Sequence, residues 1–433
     1  MLALLWPAPA GAQEIDELKK ELEAQKQRTA DLENRINQLE SRQRLKEQST
    51  DERLEQVTEQ VEEASAWGEL VEWAKRISIS GDLRIRHEHI DSQTVKEGGN
   101  IGWRNGRDRL RMRARLMFSA IINNEWDVAF RLASGQLGVI EEDLFPDPIS
   151  ANQTFTHFGS SKSVWIDLAY FDYHPEAIEG FNFIGGKMKH PFLKVGKNQM
   201  MYDNDLNLEG LAGTYALPFS NATTVHVSGG GFWVDESSSG VDTGLFGVQG
   251  YLKQALSGPG YVLGGGGFYD YTNIKGKEDE FGILFGNTNG TTDPNGAPTW
   301  ASDFDVFELF AEWGTEVGPL PVAVYGTWVK NTAAATDEDT GWLLGGRIGK
   351  AKDPGSWQFD YNYRDLERDA VLAVWSDSDF GGGGTGVRGH FLTLGYQIAK
   401  NVQAVVDYFH NTVWRSGPDL DFRRLHAGVQ FKF

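Results

Sequence analysis

Between positions 107 and 115 arginine takes every second place: Arg107, Arg109, Arg111, Arg113 and Arg115, with Leu110, Met112, Ala114, Leu116 and Phe118 in the other phase. Residues two apart share one face of an extended strand, so this spacing makes one cationic face and one apolar face. Planar guanidinium groups bind carboxylates and phosphates through paired N–H donors, so a ladder of them is suited to anions. An arginine turned to lipid at the bilayer midplane costs about 2–4 kcal/mol, so with the apolar phase toward lipid the arginine phase must face water. Arg84 and Arg86 on the preceding run, Arg131 on the following one and Arg424 on the last run have the same polar phase. Arg364 takes the polar phase of the run Trp357 to Tyr363.

Other residue groups offer less chemistry. His87-Glu88-His89 sets two imidazoles on one strand face, too few ligands for a structural or catalytic metal. Asp203, Asp205, Asn207 and Glu209 alternate like part of a calcium loop but lack its turn glycine and distant final acid. Gly264 to Gly267 lacks the flanks of a phosphate-binding loop and reads as a bend or close approach in a strand. Cysteine is absent, which excludes disulfides, thiolate sites and covalent haem attachment. Serine and histidine are scattered, so no catalytic residue is assigned. The sequence implies no enzyme, no cofactor and no bound metal.

The chain has 433 residues and a formal net charge of −20, which opposes phosphate backbones and makes nucleic acid an unsuitable partner. No apolar run reaches the roughly 18 residues of a membrane helix, but membrane strands alternate and give a weak hydropathy signal. Period-2 runs start near residues 77, 107, 125, 163, 179, 207, 223, 241, 260, 303, 320, 340, 355, 388, 402 and 421, about sixteen in all. Short connections such as Asn123-Asn124, Gly318-Pro319 and Lys400-Asn401 alternate with long polar ones near 91–105, 135–162, 190–206, 273–302 and 365–386. Short turns on one rim and long loops on the other predict an all-β membrane protein, an antiparallel transmembrane barrel over residues 77–433. Trp126, Trp313, Trp328, Trp357 and Trp414 lie near run ends, as interfacial girdle residues do.

Ahead of the barrel, residues 13–76 predict an α-helical coiled coil. Leu18, Leu22, Gln25, Thr29, Leu32, Ile36, Leu39, Gln43 and Lys46 alternate steps of four and three, and the seam resumes through Thr50, Leu54, Val57, Val61 and Ala64 after a stutter. Such a seam favours self-association over a single spacer helix. Residues 1–12, MLALLWPAPAGA, end in a small-x-small triplet and read as the remainder of a secretory signal peptide lacking its basic start.

The final run, Leu425 to Phe433, alternates apolar and polar residues and ends on Phe433. This ending resembles the assembly signal of Gram-negative outer-membrane proteins. Signal peptide, coiled coil and barrel in that order, with the opening Ile79-Ser80-Gly81-Asp82-Leu83-Arg84-Ile85-Arg86, resemble the outer-membrane porins that carry a periplasmic coiled coil. The resemblance implies a homo-oligomeric porin, a homotrimer, in the outer membrane of a Gram-negative bacterium, with the coiled coil in the periplasm. It implies passive diffusion of small hydrophilic solutes or ions, and the arginine ladder resembles that of phosphate-selective porins. The third long loop ends Met201-Tyr202-Asp203-Asn204-Asp205, at a position similar to the constriction loop of general porins. Asp203, Asp205 and Glu209 are therefore expected to face the arginine wall. Two other readings stay open: a structural tether between outer membrane and cell wall, and a barrel sheathing a cytochrome that carries electrons.

Overall fold

The protein is described from a computed structural model. It describes residues 74–433 apart from 136–146, 239, 279–283, 293–295 and 416, together with seven positions nearer the N-terminus. The chain divides into two units, Met1–Lys75 and Arg76–Phe433. In the first, Glu23, Lys26, Gln27, Arg28, Arg35, Leu39 and Arg42 are helical and exposed. The remaining heptad positions and the leader-like residues 1–12 lie outside the described residues.

The second unit is a closed antiparallel barrel of sixteen strands. In chain order they are β1 Ile77–Val95, β2 Arg107–Asn123, β3 Trp126–Ser134, β4 Val164–Tyr173, β5 Phe181–Lys189, β6 Asn207–Pro218, β7 Thr223–Asp235 and β8 Thr243–Ala255. The second half is β9 Tyr261–Thr272, β10 Phe304–Val317, β11 Leu320–Asn331, β12 Thr340–Gly349, β13 Trp357–Leu366, β14 Val387–Ala399, β15 Val402–Val413 and β16 Leu420–Lys432. Each predicted run corresponds to one strand, starting within two residues of the expected place. Closure comes from β16 against β1, with Arg84 opposite Gln430 and Glu88 opposite His426. The backbones of Gly81 and Phe433 exchange hydrogen bonds of 2.9 and 3.1 Å at the end of this seam. A closed barrel satisfies every spanning backbone group within the sheet, the condition for strands in lipid. Among the described residues no helix is long and apolar enough to cross a membrane.

Alternation sorts the side chains. Leu83, Leu110, Phe118, Phe130, Leu309, Leu344 and Leu394 are exposed on the outside, the apolar band a bilayer covers. Trp126 at the start of β3 stacks on Tyr173 at the end of β4, ring centroids 4.5 Å apart, at the short-turn rim. The inside is unlike a uniformly polar channel wall. Leu208, Phe232, Leu245, Tyr269, Phe310, Tyr325 and Leu343 point inward from β6 to β12 and are buried. Their cover comes from two long loops, 190–206 and 367–386, whose Phe192, Met200, Tyr202, Val371, Trp375 and Phe380 join the same apolar cluster.

Candidate pore-lining site

The arginine ladder is assembled by register. In β1 the inward phase is Asp82, Arg84, Arg86 and Glu88; in β2 it is Arg109, Arg111, Arg113 and Arg115. Antiparallel pairing sets Asp82 opposite Arg115, Arg84 opposite Arg113, Arg86 opposite Arg111 and Glu88 opposite Arg109. Glu88, with no exposed surface, is the hub: it accepts from Arg86, from Arg109 at 2.5 Å and from Arg111 at 3.5 Å. Asp82 accepts from Arg113 at 2.9 Å and Arg115 at 2.6 Å. Arg131 on β3 pairs with Asp167, which sits where the β3–β4 register shifts. Arg424 on β16 donates to Asp379 at 2.5 Å, and Arg86 lies 3.3 Å from the same carboxylate. Arg107, at the start of β2, is exposed. Seven arginines thus meet five carboxylates, Asp82, Glu88, Asp167, Asp205 and Asp379, on one continuous arc β16–β1–β2–β3–β4, and with Arg84 the described residues of the arc carry eight arginines against those five acids.

Arg84 differs from the rest. Its Nη2 donates to Asn152 Oδ1 at 2.6 Å, and among the described residues no carboxylate lies within ion-pair distance of it; its Nε is buried with no partner, as are those of Arg111 and Arg424. Arg111 reaches the same segment, donating to the Asn152 carbonyl at 3.1 Å. Buried guanidinium groups are normally fully paired, so Arg84 is set apart by having an amide oxygen where its neighbours have carboxylates.

The 190–206 loop does fold inward. Leu193 N–H donates to Gln249 of β8 at 2.7 Å, Gly196 N–H donates to Glu312 of β10 at 2.8 Å, and Arg347 of β12 donates to the Gly196 carbonyl at 2.8 Å. Gly196 has φ 59°, and a Cβ there would lie 2.3 Å from the Tyr325 ring; only glycine lets the loop lie this close to the wall. Asp205 at its end meets the ladder, accepting from Arg113 at 3.2 Å and Arg115 at 3.3 Å. Burial alone would raise the Asp205 carboxyl, but Arg113 and Arg115 hold it below its ordinary value.

Three expected site residues are placed elsewhere. Asp203 turns away from the arginines: its carboxylate accepts from Asp205 N–H at 2.8 Å and from Ser378 N–H at 3.1 Å, fastening one inward loop to the other. Burial, with Asp205 and Asp377 close by, pushes its carboxyl well above the ordinary range. Glu209 is no lumen acid, because it shares the outward phase of Leu211 in β6 and pairs with Lys187 of β5 at 2.5 Å. Arg364 lies apart from the ladder, with its guanidinium 3.9 Å over the Phe380 ring and 2.6 Å from Asp377 beneath the 367–386 loop. Phe433 closes the seam with Gly81, as described above.

Two site residues were not singled out from the sequence. Glu88 shares the phase of Arg84 and Arg86, so its inward direction was legible in the alternation. Asp379 had no local signal, because a long loop brings it to Arg86 and Arg424. Although burial opposes its ionisation, these arginines hold the Asp379 carboxyl well below the usual range. His87 and His89 face outward and share Asp108 of β2, at 3.2 and 2.9 Å. Glu88, Asp379 and His426 offer one ligand atom each within 4.8 Å of one another, but Arg86, Arg109, Arg111 and Arg424 surround them, and that field repels a cation.

The structure resembles OprB of Pseudomonas putida with a TM-score of 0.53 at 12% identity, covering 84% of this chain and 96% of OprB. It also matches the outer membrane channel DcaP of Acinetobacter baumannii (TM-score 0.44, 14% identity, covering 82% of this chain and 97% of DcaP). A triple mutant of the Rhodopseudomonas blastica porin matches as well (TM-score 0.44, 12% identity, covering 82% of this chain and all of that one). No curated protein matches the sequence. The family described as "Putative porin" matches residues 91–303 and 300–420, well over half of the chain. With a closed sixteen-stranded barrel and that match, the chain belongs to this family of porins of the outer membrane.

Proposed function

We propose that this porin passes small hydrophilic solutes or ions by passive diffusion and prefers anions, with Arg84, Arg86, Arg109, Arg111, Arg113, Arg115, Arg131 and Arg424 lining the path. The observation that carries the preference is Arg84, a guanidinium that among the described residues has no carboxylate partner, on a wall whose described arginines exceed its described acids. An anion passing this arc meets fixed N–H donors in place of part of its hydration shell; a cation meets a net positive field. Asp205 and Asp379, carried inward by the two loops, set the acidic side of that field. No energy input and no covalent chemistry are needed. The coiled coil of residues 13–76 acts as a periplasmic stalk that helps three copies assemble, and the strand ending in Phe433 serves as the assembly signal.

The test is single-channel conductance of refolded protein in a planar bilayer under a salt gradient, beside Arg84→Gln. Steady steps with an anion-biased reversal potential that moves toward zero in the variant are expected. An unchanged reversal potential in Arg84→Gln removes the anion preference. No conductance from a folded barrel removes the open channel and favours the tether or the electron-conduit reading.

A further inference from the structure

A second arc of the inner wall carries a cavity of about 300 Å³ that the arginine path does not use. Registered pairs build it: Asn182 of β5 opposite Thr214 of β6, and Thr214 opposite Ser228 of β7, form one polar row. The row continues to Gln249 of β8, which ties down the 190–206 loop through Leu193 N–H at 2.7 Å and Leu193 carbonyl at 3.0 Å. One step nearer the short-turn rim, His226 stands opposite Tyr251, their rings 4.4 Å apart and nearly parallel at 8°. Phe192 lies over the cavity from the loop. No Asp, Glu, Lys or Arg lines it.

Its polar groups are unspent. Among the described residues the Ser228 hydroxyl, the Tyr251 hydroxyl and both ring nitrogens of His226 make no hydrogen bond within the protein. The bond from Asn182 to Thr214 is long, at 3.5 Å. Hydroxyl, amide and imidazole groups each donate or accept, so they match a ligand whose own groups do both, and they have no charge to offer an ion. Aromatic rings beside such groups supply apolar faces for C–H bonds. The volume equals about ten waters, enough for a solute of roughly ten to twelve heavy atoms.

We infer that this cavity is a low-affinity binding site for a small neutral polyhydroxylated solute, of monosaccharide or hexitol size, on a wall distinct from the anion path. The inference rests on the channel reading, since a solute reaches this site through the lumen. D-glucose serves as the neutral probe and D-gluconate as its anionic counterpart of similar size, each examined by saturation-transfer NMR with the full refolded chain in detergent. Saturation transfer to glucose in preference to gluconate is expected, with about tenfold weaker binding in a Thr214→Val, Ser228→Ala double variant. Both substitutions are near-isosteric; Tyr251→Ala, which removes the aromatic ledge, is expected to weaken binding as well. Equal glucose binding in the double variant, or gluconate preferred over glucose, overturns the proposal. So does absence of glucose binding in a folded wild type that conducts ions, an outcome that leaves the porin reading standing. Glucose binding by a folded barrel that does not conduct supports the site and overturns the channel reading instead.

Discussion

Two arcs of one inner wall follow the same alternation and are held by opposite physics. On β16 to β3 the inward phase is ionic, and buried guanidinium groups are held by Asp82, Glu88, Asp167, Asp205 and Asp379. On β6 to β12 the inward phase is largely apolar, and loops 190–206 and 367–386 are pressed onto it. Apolar surface left facing a wet lumen forfeits about 25 cal/mol per Å², which drives those loops inward. The ionic arc can stand in water and needs only the loops' acidic tips. Charge therefore organises one arc of the wall, and apolar burial seats the loops on the other.

The sharpest way to break this contrast is Glu88→Ala. It leaves Arg86, Arg109 and Arg111 around a vacated buried site, and losing one partner of a buried pair costs about 3–5 kcal/mol. Thermal unfolding in detergent is expected to show that loss; a variant as stable as wild type means that water already screens the hub. On the other arc, Phe192→Ala should cost about 3 kcal/mol of loop seating. Limited proteolysis is expected to cut residues 190–206 faster while the salt-gradient reversal potential hardly moves. A large change in ion selectivity there makes the two arcs one unit.

The acid side chains sharpen the comparison through pH. The folded-state pKa of Asp203 is raised, so its ionised form weakens the contact between the two loops, and the penalty fades as pH falls through that raised value. Asp205 and Asp379 are lowered, so their pairing with the arginines is lost only below the ordinary carboxylate range, near pH 4. As pH falls from neutral while staying above the ordinary carboxylate range, the loop junction is expected to resist protease better, with selectivity retained. Faster cleavage on mild acidification contradicts this assignment. The smallest effect belongs to the outer surface: Glu209→Gln should cost under about 1 kcal/mol, because Glu209 is 62% exposed, and should leave selectivity unchanged. A selectivity shift there returns Glu209 to the lumen.

Much of this was legible in the residues. Strand starts, the long and short rims and the inward phase of Arg109 to Arg115 depend on a two-residue period, and that period is local. Glu209 was misplaced because the long loop before β6 hides where the alternation restarts, so its phase cannot be carried over from β5. The inward course of 190–206 follows from position along the chain, but its destination does not. Phe192, Tyr202 and Gly196 meet walls formed by strands fifty to more than a hundred residues later.

Local alternation is enough to establish the barrel, its strand count and which side of each strand faces water, because a single pleated strand already separates lipid-compatible from charged side chains. Which arginines are neutralised depends on contacts between segments distant in the chain. Glu88 and Asp82 act across neighbouring strands, but Asp205 and Asp379 arrive from long loops whose course is set by apolar contacts with the other arc, leaving Arg84, among the described residues, with Asn152 in place of a carboxylate.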